Sequence, residues 1–491
     1  MTAVPYSEFI RVALPQVFLV LAAFATLTID LCLRRRAIAL RFGVATIVAT
    51  LGCVAAMSRL LLVRGTSDLM QGMLVSDALT SHVQIALLAL TVTTLLLSAS
   101  ARFTRHVGEY VLLILLAATG MMFLVSSRDV MVTFVSLELL SLSLYALTGF
   151  DKASARSAEA SLKYFLFGGA SAAFLLYGLS LVYGLANATG YTAIANALAE
   201  SGLTPMLVLA LIAVMVGLGF KVAAVPLHFW TPDVYQGAPS PVAGFIASSS
   251  KVASFFAFFV LMDRCFPASA GGAEWGWVRA GWVPILAVSA SLSMVVGNLG
   301  ALMQTSVRRL LAYSAIANGG YMLIGVVAHT SQSLNAVLYY VVTYSLSTLG
   351  MFAITGLVET ERGNDNLSSF DGLSRQSPLM SACLLIFLLS QIGIPPLAGF
   401  FGKFYLFVSA LRGQHTELGL LWLVVLALAL SAVSLYYYLQ VLKHAYVNEP
   451  KHGAQSLQTD KTTQTVVVLL ALGVLVAGCM PALLMNWFAA R

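Results

Sequence analysis

Charged side chains are scarce in this sequence. Only 10% of its 491 residues are Asp, Glu, Lys or Arg, whereas 59% are hydrophobic and the mean hydropathy is +0.89. Soluble domains carry about 25% charged residues, so a water-soluble fold of this length could not cover its surface with charge. The composition therefore excludes a soluble globular protein and indicates one whose solvent is the lipid bilayer. The net charge of +7 does not indicate nucleic-acid binding, since most of it reflects a bias of basic residues among the loops.

Motifs for metals and cofactors are also missing. The five cysteines stand singly, without a CxxC pair and without a Cys/His spacing that suits zinc, haem or an iron–sulfur cluster. No GxGxxG follows a strand pattern, and no GxxxxGKS/T occurs. The sequence thus predicts no metal site and no binding site for NADH, flavin or ATP in this chain. The cysteines are predicted to act as small buried hydrophobic side chains.

Long apolar stretches make up most of the chain. A transmembrane helix needs about 20 consecutive apolar residues, and fourteen such stretches are joined by short connections rich in Gly, Pro, Asp and Asn. The predicted fold class is all-α, a single polytopic membrane domain over residues 1–491 with about 14 transmembrane helices. The predicted helices cover 12–33, 39–62, 78–99, 107–126, 129–150, 160–186, 205–236, 241–262, 283–304, 307–328, 332–357, 378–411, 418–446 and 464–488.

Basic residues are unevenly distributed between the two sets of loops. Fifteen lie in loops after odd-numbered helices, and eight lie on the other side together with the termini. Because loops rich in Lys and Arg stay in the cytoplasm, both termini are predicted on the outer, periplasmic side of a bacterial inner membrane. The remaining four of the 27 basic residues lie inside predicted helices: Lys163, Lys221, Lys251 and Lys403.

The seventh and twelfth predicted helices, 205–236 and 378–411, are too long to be straight single spans. At about 1.5 Å per residue they would run roughly 48–51 Å, against a hydrocarbon core of about 30 Å. Both contain helix-breaking residues near the middle, so both are predicted to be broken helices. The predicted breakers are Gly217, Gly219 and Pro226 in the first, and Gly393, Pro395, Pro396 and Gly399 in the second.

The positions of the broken helices indicate an internal repeat. They are five crossings apart, so they run in opposite directions through the membrane. This pattern is typical of inverted repeats with a functional site near the breaks. Two inverted five-helix repeats are predicted at 107–262 and 283–446, flanked by helices within 12–99 and 464–488. A pair of ordinary proline kinks is the alternative.

Lys221 and Glu138 form the first candidate pair for proton transfer. Lys221 lies beside the break at Pro226, where the end of a half-helix would present free carbonyls to its ammonium group. Glu138 lies nine residues into the fifth helix, deeper than any other acidic residue in a predicted span. A lysine balanced between burial and a neighbouring carboxylate can load and release a proton near neutral pH. A snorkelling lysine and a purely structural ion pair are the alternatives.

Two further lysines extend the predicted relay. Lys251 lies ten residues into the eighth helix beside serines that can hold water, and it is predicted to pass protons between the repeats. Lys403 lies seven residues after Pro396 and is predicted to be the exit-side proton carrier. Lys403 would be the counterpart of Lys221 in the second repeat, although the two lie at different offsets from the breaks.

Lys163 and His228 are weaker candidates. Lys163 is predicted in the first turn of the sixth helix, four residues after Glu159, where it either snorkels to the cytoplasmic edge or joins the relay. His228 follows Pro226 and is either a proton shuttle or a satisfied structural histidine.

Other polar residues have less direct roles. Asp233 is predicted to cap a helix rather than to guard proton entry, and His329 is predicted at the membrane interface. Residues that could line a water path are Gln391, Tyr339, Tyr340, Thr343 and Tyr344.

Four segments form a distinctive set of motifs: ELLSLSLY (138–145), SAEASLKYFLFGG (157–169), PLHFWTPDVYQGAPSP (226–241) and GIPPLAGFFGKF (393–404). Together they resemble the subunit N family of bacterial NADH–quinone oxidoreductase, the respiratory complex I. The motifs span both predicted repeats. The length of the chain and its number of predicted helices also agree with this family over the whole chain. The combination is specific, whereas any one motif alone would indicate only the broader antiporter-like family.

The resemblance implies a non-redox, proton-translocating membrane subunit that couples quinone reduction elsewhere in the complex to proton transfer. It implies a buried polar axis of Glu138, Lys221, Lys251 and Lys403, with a secondary role for Lys163. It also implies that NADH, FMN, iron–sulfur clusters and quinone bind to partner subunits. The implied partners are other membrane subunits of complex I, including antiporter-like siblings, and the lipid bilayer. Two other functions stay open, a subunit of a multisubunit Na⁺/H⁺ antiporter and a passive membrane scaffold.

Overall fold

The protein is a bundle of α-helices. Its computed structural model describes residues 6–62, 65–101, 103–200, 202–330, 332–412, 415–450, 457 and 459–489, with only the backbone described for 6–11. Backbone polar groups find no water inside a bilayer, so a spanning segment must satisfy them internally as a helix. The helices are α1 (Tyr6–Cys32), α2 (Ile38–Leu61), α3 (Ala78–Ser100), α4 (Val107–Ser126), α5 (Val130–Thr148), α6 (Ala155–Ala186), α7 (Tyr191–Ala199), α8 (Pro205–Val222), α9 (Trp230–Gly237), α10 (Ser240–Ala247), α11 (Ser249–Cys265), α12 (Trp282–Leu302), α13 (Val307–Ala328), α14 (Ser333–Arg362), α15 (Leu373–Gln376), α16 (Pro378–Ile392), α17 (Ala398–Leu411), α18 (Leu421–Tyr446), α19 (Lys461–Cys479) and α20 (Pro481–Ala489).

Thirteen helical segments within the described residues are long and apolar enough to cross a membrane. One of them, Ser240–Cys265, combines α10 and α11. The predicted span at 378–411 is present as the two shorter apolar helices α16 and α17. The prediction of an all-α polytopic fold with about 14 crossings is therefore confirmed. The division into two inverted repeats stays a prediction.

Side-chain caps fix where several helices begin. A side-chain oxygen just before the first turn accepts a backbone N–H that has no partner within the helix. Asp77, for example, accepts from the backbone N–H of Thr80 at 2.7 Å. Such capping bonds occur at Asp77, Asp129, Ser154, Thr204, Ser306 and Asp460.

Both predicted broken helices are present. α8 ends at Val222, where Ala223 has a left-handed φ of 62°, and α9 starts only at Trp230. α16 ends at Ile392, where Gly393 has a φ of 91° and its N–H donates to the carbonyls of Leu389 and Ser390. The proline-containing segments 223–229 and 393–397 interrupt the helices, as Pro226, Pro395 and Pro396 predicted.

Three predicted breaker glycines do not interrupt a helix. Gly217 and Gly219 lie inside α8, and Gly399 lies inside α17. A Cβ at Gly217 would lie 2.4 Å from the Cβ of Leu175, so glycine there allows close packing of α8 on α6. A Cβ at Gly399 would lie 1.8 Å from the carbonyl oxygen of Ser390. Glycine at positions 217 and 399 thus permits close approach of two helices and does not end either one.

A third break was not predicted. The eighth span was expected to be continuous over 241–262, but Ser248 separates α10 from α11 with φ −113° and ψ −87°. The Oγ of Ser248 donates to the carbonyl oxygen of Gly244 at 2.6 Å. The sequence prediction of one continuous helix was wrong because serine is not a strong breaker and carries no signal comparable to proline.

Smaller elements also differ from the prediction. The last predicted helix, 464–488, begins at Lys461 and is divided into α19 and α20 at Met480. The helix α7 was not predicted. Two short antiparallel hairpins were not predicted either: β1 (Ser67–Leu69) with β2 (Leu74–Ser76), and β3 (Gly272–Glu274) with β4 (Trp277–Arg279). The hairpins lie in loops and do not change the all-α class.

The central helices are the most deeply buried. In the most apolar window of the span 240–265 every residue is buried, and in that of α13 the buried share is 94%. For α2, α6 and α18 the share is only 33%, so these helices lie at the periphery. Polar groups on the central helices are therefore shielded from lipid by protein on all sides.

Candidate functional site

Lys221 is the next-to-last residue of α8 and lies at the first break. It is buried, with 8% of its surface exposed, and its Nζ has no hydrogen-bond partner within the described residues. Three aromatic rings surround the amine: those of Tyr145, Tyr164 and Phe220, at 5.3, 5.8 and 5.7 Å from Nζ to ring centroid. The alternative of a snorkelling lysine is wrong, because the side chain is enclosed by protein.

Glu138 lies in the middle of α5 and is half-buried. Its carboxylate and the Lys221 amine are close enough for their charges to interact. They are further apart than the 4.0 Å of a direct ion pair. The two side chains thus form no direct ion pair, and their role in proton transfer stays a prediction. The two charges affect each other without being locked together.

Lys251 lies in the first turn of α11, directly after the break at Ser248. Only 1% of its surface is exposed, and its Nζ donates to the carbonyl oxygen of Ala315 at 2.6 Å. The ring centroid of Tyr344 lies 5.6 Å from the amine. Lys251 therefore connects the span 240–265 to the middle of α13.

Lys403 lies on α17, but its amine reaches back to the second break. Its Nζ donates to the carbonyl oxygens of Gln391 and Ile392 at 3.1 and 3.0 Å, and to the Oγ of Ser431 at 2.7 Å. The two carbonyls belong to the C-terminus of α16, whose partial negative charge favours a cation. Lys221 is carried by the half-helix before its break and Lys403 by the half-helix after it, which accounts for their different offsets.

A hydrogen-bonded polar cluster lies between Lys251 and Lys403. The hydroxyl of Tyr340 donates to the Oδ1 of Asn318 at 2.6 Å, and the Nδ2 of Asn318 donates to the carbonyl oxygen of Ser314 at 2.9 Å. The Oγ of Ser314 is hydrogen-bonded to the hydroxyl of Tyr438. A second hydrogen-bonded group, formed by Asn298, Tyr321 and Tyr437, adjoins the first, and the ring centroids of Tyr437 and Tyr438 lie 4.5 Å apart. We call the two groups together the central polar cluster: Asn298, Ser314, Asn318, Tyr321, Tyr340, Tyr437 and Tyr438.

The central polar cluster touches the surroundings of both lysines. Ser314 precedes Ala315, whose carbonyl accepts the Lys251 amine. The ring of Tyr321 lies 5.0 Å from the Lys403 amine. Sequence analysis named Tyr340 only, although two asparagines in the middle of apolar spans, Asn298 and Asn318, were a signal for the rest.

Lys163 belongs to a charged network outside the buried group. Its Nζ lies 2.7 Å from Glu159 and 2.7 Å from Asp233, and Asp233 also pairs with Arg309 at 2.8 Å. Lys163 is the ninth residue of α6 rather than in its first turn, and its side chain is 38% exposed. Asp233 makes no capping bond, because α9 begins at Trp230, so the capping prediction is wrong. The network ties α6, α9 and α13 together.

Neither His228 nor His329 is hydrogen-bonded to a buried lysine within the described residues. His228 lies in the first break with 8% exposure, its Nδ1 has no hydrogen-bond partner in the described part of the chain, and its ring packs on Phe229. His329 ends α13 in a left-handed conformation, with its ring against Trp282.

Other predicted path residues are occupied by protein partners. The hydroxyls of Tyr339 and Thr343 donate to the carbonyl oxygens of Ala477 and Tyr339, both at 2.8 Å. Gln391 donates to the Oγ1 of Thr348 at 3.4 Å. Whether these residues line a water path stays a prediction.

Metal-ligating groups do not cluster in the structure. Within the described ranges, no group of three or more His, Cys, Asp or Glu side chains is arranged to hold a metal ion. Cys53, Cys265 and Cys383 are buried as predicted. The prediction is wrong for Cys32 and Cys479, which are exposed because they lie at the ends of α1 and α19.

The fold and the buried lysines define a class of protein. A polytopic bundle with interrupted helices, and with buried amines beside three of the interruptions, is typical of membrane transporters and pumps. The family model for the membrane part of NADH:quinone oxidoreductases and Mrp antiporters matches residues 127–432.

Similar proteins narrow this class. The chain is 49% identical over 497 residues to NADH-quinone oxidoreductase subunit N 2 of Acidobacterium capsulatum, covering 99% of this chain and 100% of that protein. It matches a chain of respiratory complex I from Thermus thermophilus with 34% identity and a TM-score of 0.78, covering 95% of this chain and 98% of that one. A chain of the Mrp complex from Dietzia sp., 20% identical with a TM-score of 0.79, covers 100% of this chain and 97% of that one and shows a shared fold. The chain belongs to the NADH:quinone oxidoreductase/Mrp antiporter membrane family, and the predicted resemblance to subunit N is confirmed.

Proposed function

We propose that this chain is a proton-translocating membrane subunit of an NADH–quinone oxidoreductase. Protons enter from the cytoplasmic side, load Lys221 under the control of Glu138, pass through Lys251 and leave by way of Lys403. One observation carries this proposal: the breaks at 223–229, at Ser248 and at 393–397 each have one buried lysine amine beside them. Helix breaks and buried charges are each costly in a bilayer, and their repeated coincidence favours a shared function.

Coulomb coupling supplies the physical link between the steps. Charges interact strongly in an interior that is poorly screened, so a change of protonation at one lysine alters the proton affinity of the next. Between Lys251 and Lys403, the central polar cluster provides hydroxyl and amide groups that can hand on a proton or hold water. In this proposal quinone reduction on other subunits drives the cycle.

Partner subunits supply the redox chemistry in this proposal. The relatives are named as subunits of NADH-quinone oxidoreductase, and NADH, FMN, iron–sulfur clusters and quinone would bind to other subunits of the same complex. The partners are other membrane subunits, including antiporter-like siblings. The chain would lie in the bacterial inner membrane with both termini on the periplasmic side.

Replacement of the lysines tests the proposal. Lys221→Ala and Lys403→Ala are each expected to lower proton pumping at least about tenfold in vesicles that contain the reconstituted complex, because each removes a carrier that no neighbour can replace. Lys443→Ala, which removes an amine at the end of α18, is the matched control and is expected to pump normally.

Two measurements separate this function from its alternatives. Full pumping by both lysine variants, or by the corresponding Lys→Leu variants, would contradict the relay and favour a passive scaffold. Purification of the chain with Na⁺/H⁺ antiporter subunits, and without redox subunits, would contradict assignment to an oxidoreductase.

A further inference from the structure

The amine of Lys221 is held differently from those of the other two lysines. Lys251 donates to a backbone carbonyl, and Lys403 donates to two carbonyls and a hydroxyl. Nζ of Lys221 has no such acceptor in the described residues, although this side chain is also buried. Its surroundings are instead the rings of Tyr145, Tyr164 and Phe220, all within 5.8 Å of Nζ.

A ring face attracts a cation within about 6 Å, through the negative charge of the π system, and the attraction is stronger at desolvated sites. A neutral amine gains little from the same faces. We propose that Tyr145, Tyr164 and Phe220 form an aromatic cage that holds the protonated Lys221 side chain, and that they are positioning residues for proton loading. This inference rests on the proposed function, in which Lys221 carries a proton.

The cage is fixed by its own packing. The ring of Tyr164 packs edge-on against that of Tyr145 at 4.7 Å and stacks on that of Trp230 at 4.5 Å. The Nε1 of Trp230 donates to the carbonyl oxygen of Phe220 at 3.1 Å, which ties the two sides of the first break together. Four helices, α5, α6, α8 and α9, therefore set the ring positions, and the rings cannot turn away from the amine independently.

The helix α5 contributes two side chains near Lys221, Glu138 and Tyr145. Tyr145 lies seven residues after Glu138, about two helical turns, so both side chains lie on one face of α5. A carboxylate stabilises an ammonium only while it is ionised, whereas a ring face attracts it at every pH. The cage thus keeps the proton on Lys221 when Glu138 is neutral. Ionisation of Glu138 then raises the proton affinity of Lys221 above the value that the rings alone provide.

Gly168 makes room for the cage. A Cβ at this position would lie 2.0 Å from the hydroxyl of Tyr145, so α6 can approach the ring only with glycine there. The close contact between α6 and the Tyr145 ring therefore depends on glycine at position 168, and this ring lies beside the Lys221 amine.

Ring fluorination tests the cage without changing its shape. Phenylalanines with one, two and three ring fluorines are placed at position 220 in the whole complex, because fluorine withdraws charge from the ring face. Proton pumping and electron transfer are measured against pH in vesicles. The pH at which pumping falls to half on the alkaline side is expected to decrease with each fluorine, by about one pH unit in total. The same series at Phe245, an equally buried ring outside the cage, is the control and is expected to cause no shift.

Substitution of Tyr145 gives a second test. Tyr145→Leu removes a ring and is expected to shift the profile in the same direction. Tyr145→Phe keeps the ring and is expected to leave the profile close to that of the unmodified protein. An unchanged profile in the Phe220 series, or an equal shift for Leu and Phe at position 145, would overturn the cage.

Lys221→Ala in the same vesicles separates the two proposals. Loss of pumping in Lys221→Ala together with no fluorine effect would leave Lys221 as a carrier and would overturn the cage alone. Full pumping in Lys221→Ala would overturn both. Loss of pumping together with a graded fluorine shift would support both.

Discussion

Each buried lysine in this protein meets a different set of partners. Lys251 has one carbonyl acceptor, and Lys403 has two carbonyl acceptors at the C-terminus of α16 and the Ser431 hydroxyl. Lys221 has ring faces and the more distant Glu138 carboxylate, without a hydrogen-bond acceptor in the described residues. Hydrogen bonds and ring faces stabilise an ammonium to different degrees. A proton that moves along the proposed relay therefore meets amines that differ in affinity, which a set of identical sites would not provide.

Asn318 is the residue on which the link between Lys251 and Lys403 depends most. It accepts from Tyr340 and donates to Ser314, so it connects α14 to α13 and, through Ser314, to α18. Asn318→Leu is expected to reduce proton pumping about tenfold at unchanged electron transfer. It also leaves the Tyr340 hydroxyl without an acceptor, at a cost of about 1–3 kcal/mol in stability.

The matched control for Asn318→Leu is Thr343→Val. Thr343 is equally buried, but its hydroxyl donates only to backbone carbonyls of its own helix. Pumping in reconstituted vesicles is the measurement for both variants. Equal pumping by the two would show that the central polar cluster is a packing feature and not a path.

Helix breaks were predictable only where proline marks them. Pro226, Pro395 and Pro396 identify two breaks, since proline cannot continue the backbone hydrogen bonding. The break at Ser248 has no proline beside it, and serine alone does not mark a helix end. Lys221, Lys251 and Lys403 were found because charge in an apolar span is costly. Carbonyls at a half-helix end were predicted for Lys221, but that prediction is wrong, because such carbonyls accept the Lys403 amine instead. The partners depend on which way each side chain turns at its break, which the sequence does not reveal.

Close approach of α16 and α17 makes Gly399 a sensitive position. A Cβ there would lie 1.8 Å from the carbonyl oxygen of Ser390, and the two half-helices could not keep Lys403 at the end of α16. Gly399→Ala is expected to destabilise the subunit by about 3 kcal/mol or more. The measurement is thermal unfolding of the detergent-purified protein, with the amount inserted in the membrane as a second readout.

Gly184→Ala provides the comparison, because nothing lies within 4 Å of a Cβ at that position in α6. It is expected to leave thermal unfolding unchanged or slightly improved, since alanine favours a helix by about 1 kcal/mol over glycine. An unfolding temperature of Gly399→Ala equal to that of Gly184→Ala would contradict this prediction. It would show that α16 and α17 can move apart at the second break without loss of stability.

Two sets of ion pairs join helices of the bundle, one buried and one partly exposed. Asp30 and Arg41 form a buried bidentate pair between α1 and α2, with bonds of 2.7 and 2.6 Å. The Lys163–Asp233–Arg309 network is half-exposed and joins the two predicted repeats. Exposed pairs contribute about 0–1 kcal/mol and buried ones are costly to break. The network is therefore suited to rearrange during a cycle, whereas the Asp30–Arg41 pair is suited to stay.

The direction of the whole molecule in the membrane decides the direction of the proposed relay. The bias of basic residues predicts that the loop with Lys152 lies in the cytoplasm and the β3–β4 hairpin with Arg279 outside. Both side chains are exposed. In a background with the native cysteines replaced by serine, Lys152→Cys and Arg279→Cys are treated with a membrane-impermeant maleimide. In spheroplasts only Arg279→Cys is expected to be labelled, and in inside-out vesicles only Lys152→Cys. The opposite pattern would show that the topology is reversed. In the proposed relay Lys221 would then have to receive protons from the periplasm. That direction is opposite to the one in which a respiratory pump builds its gradient.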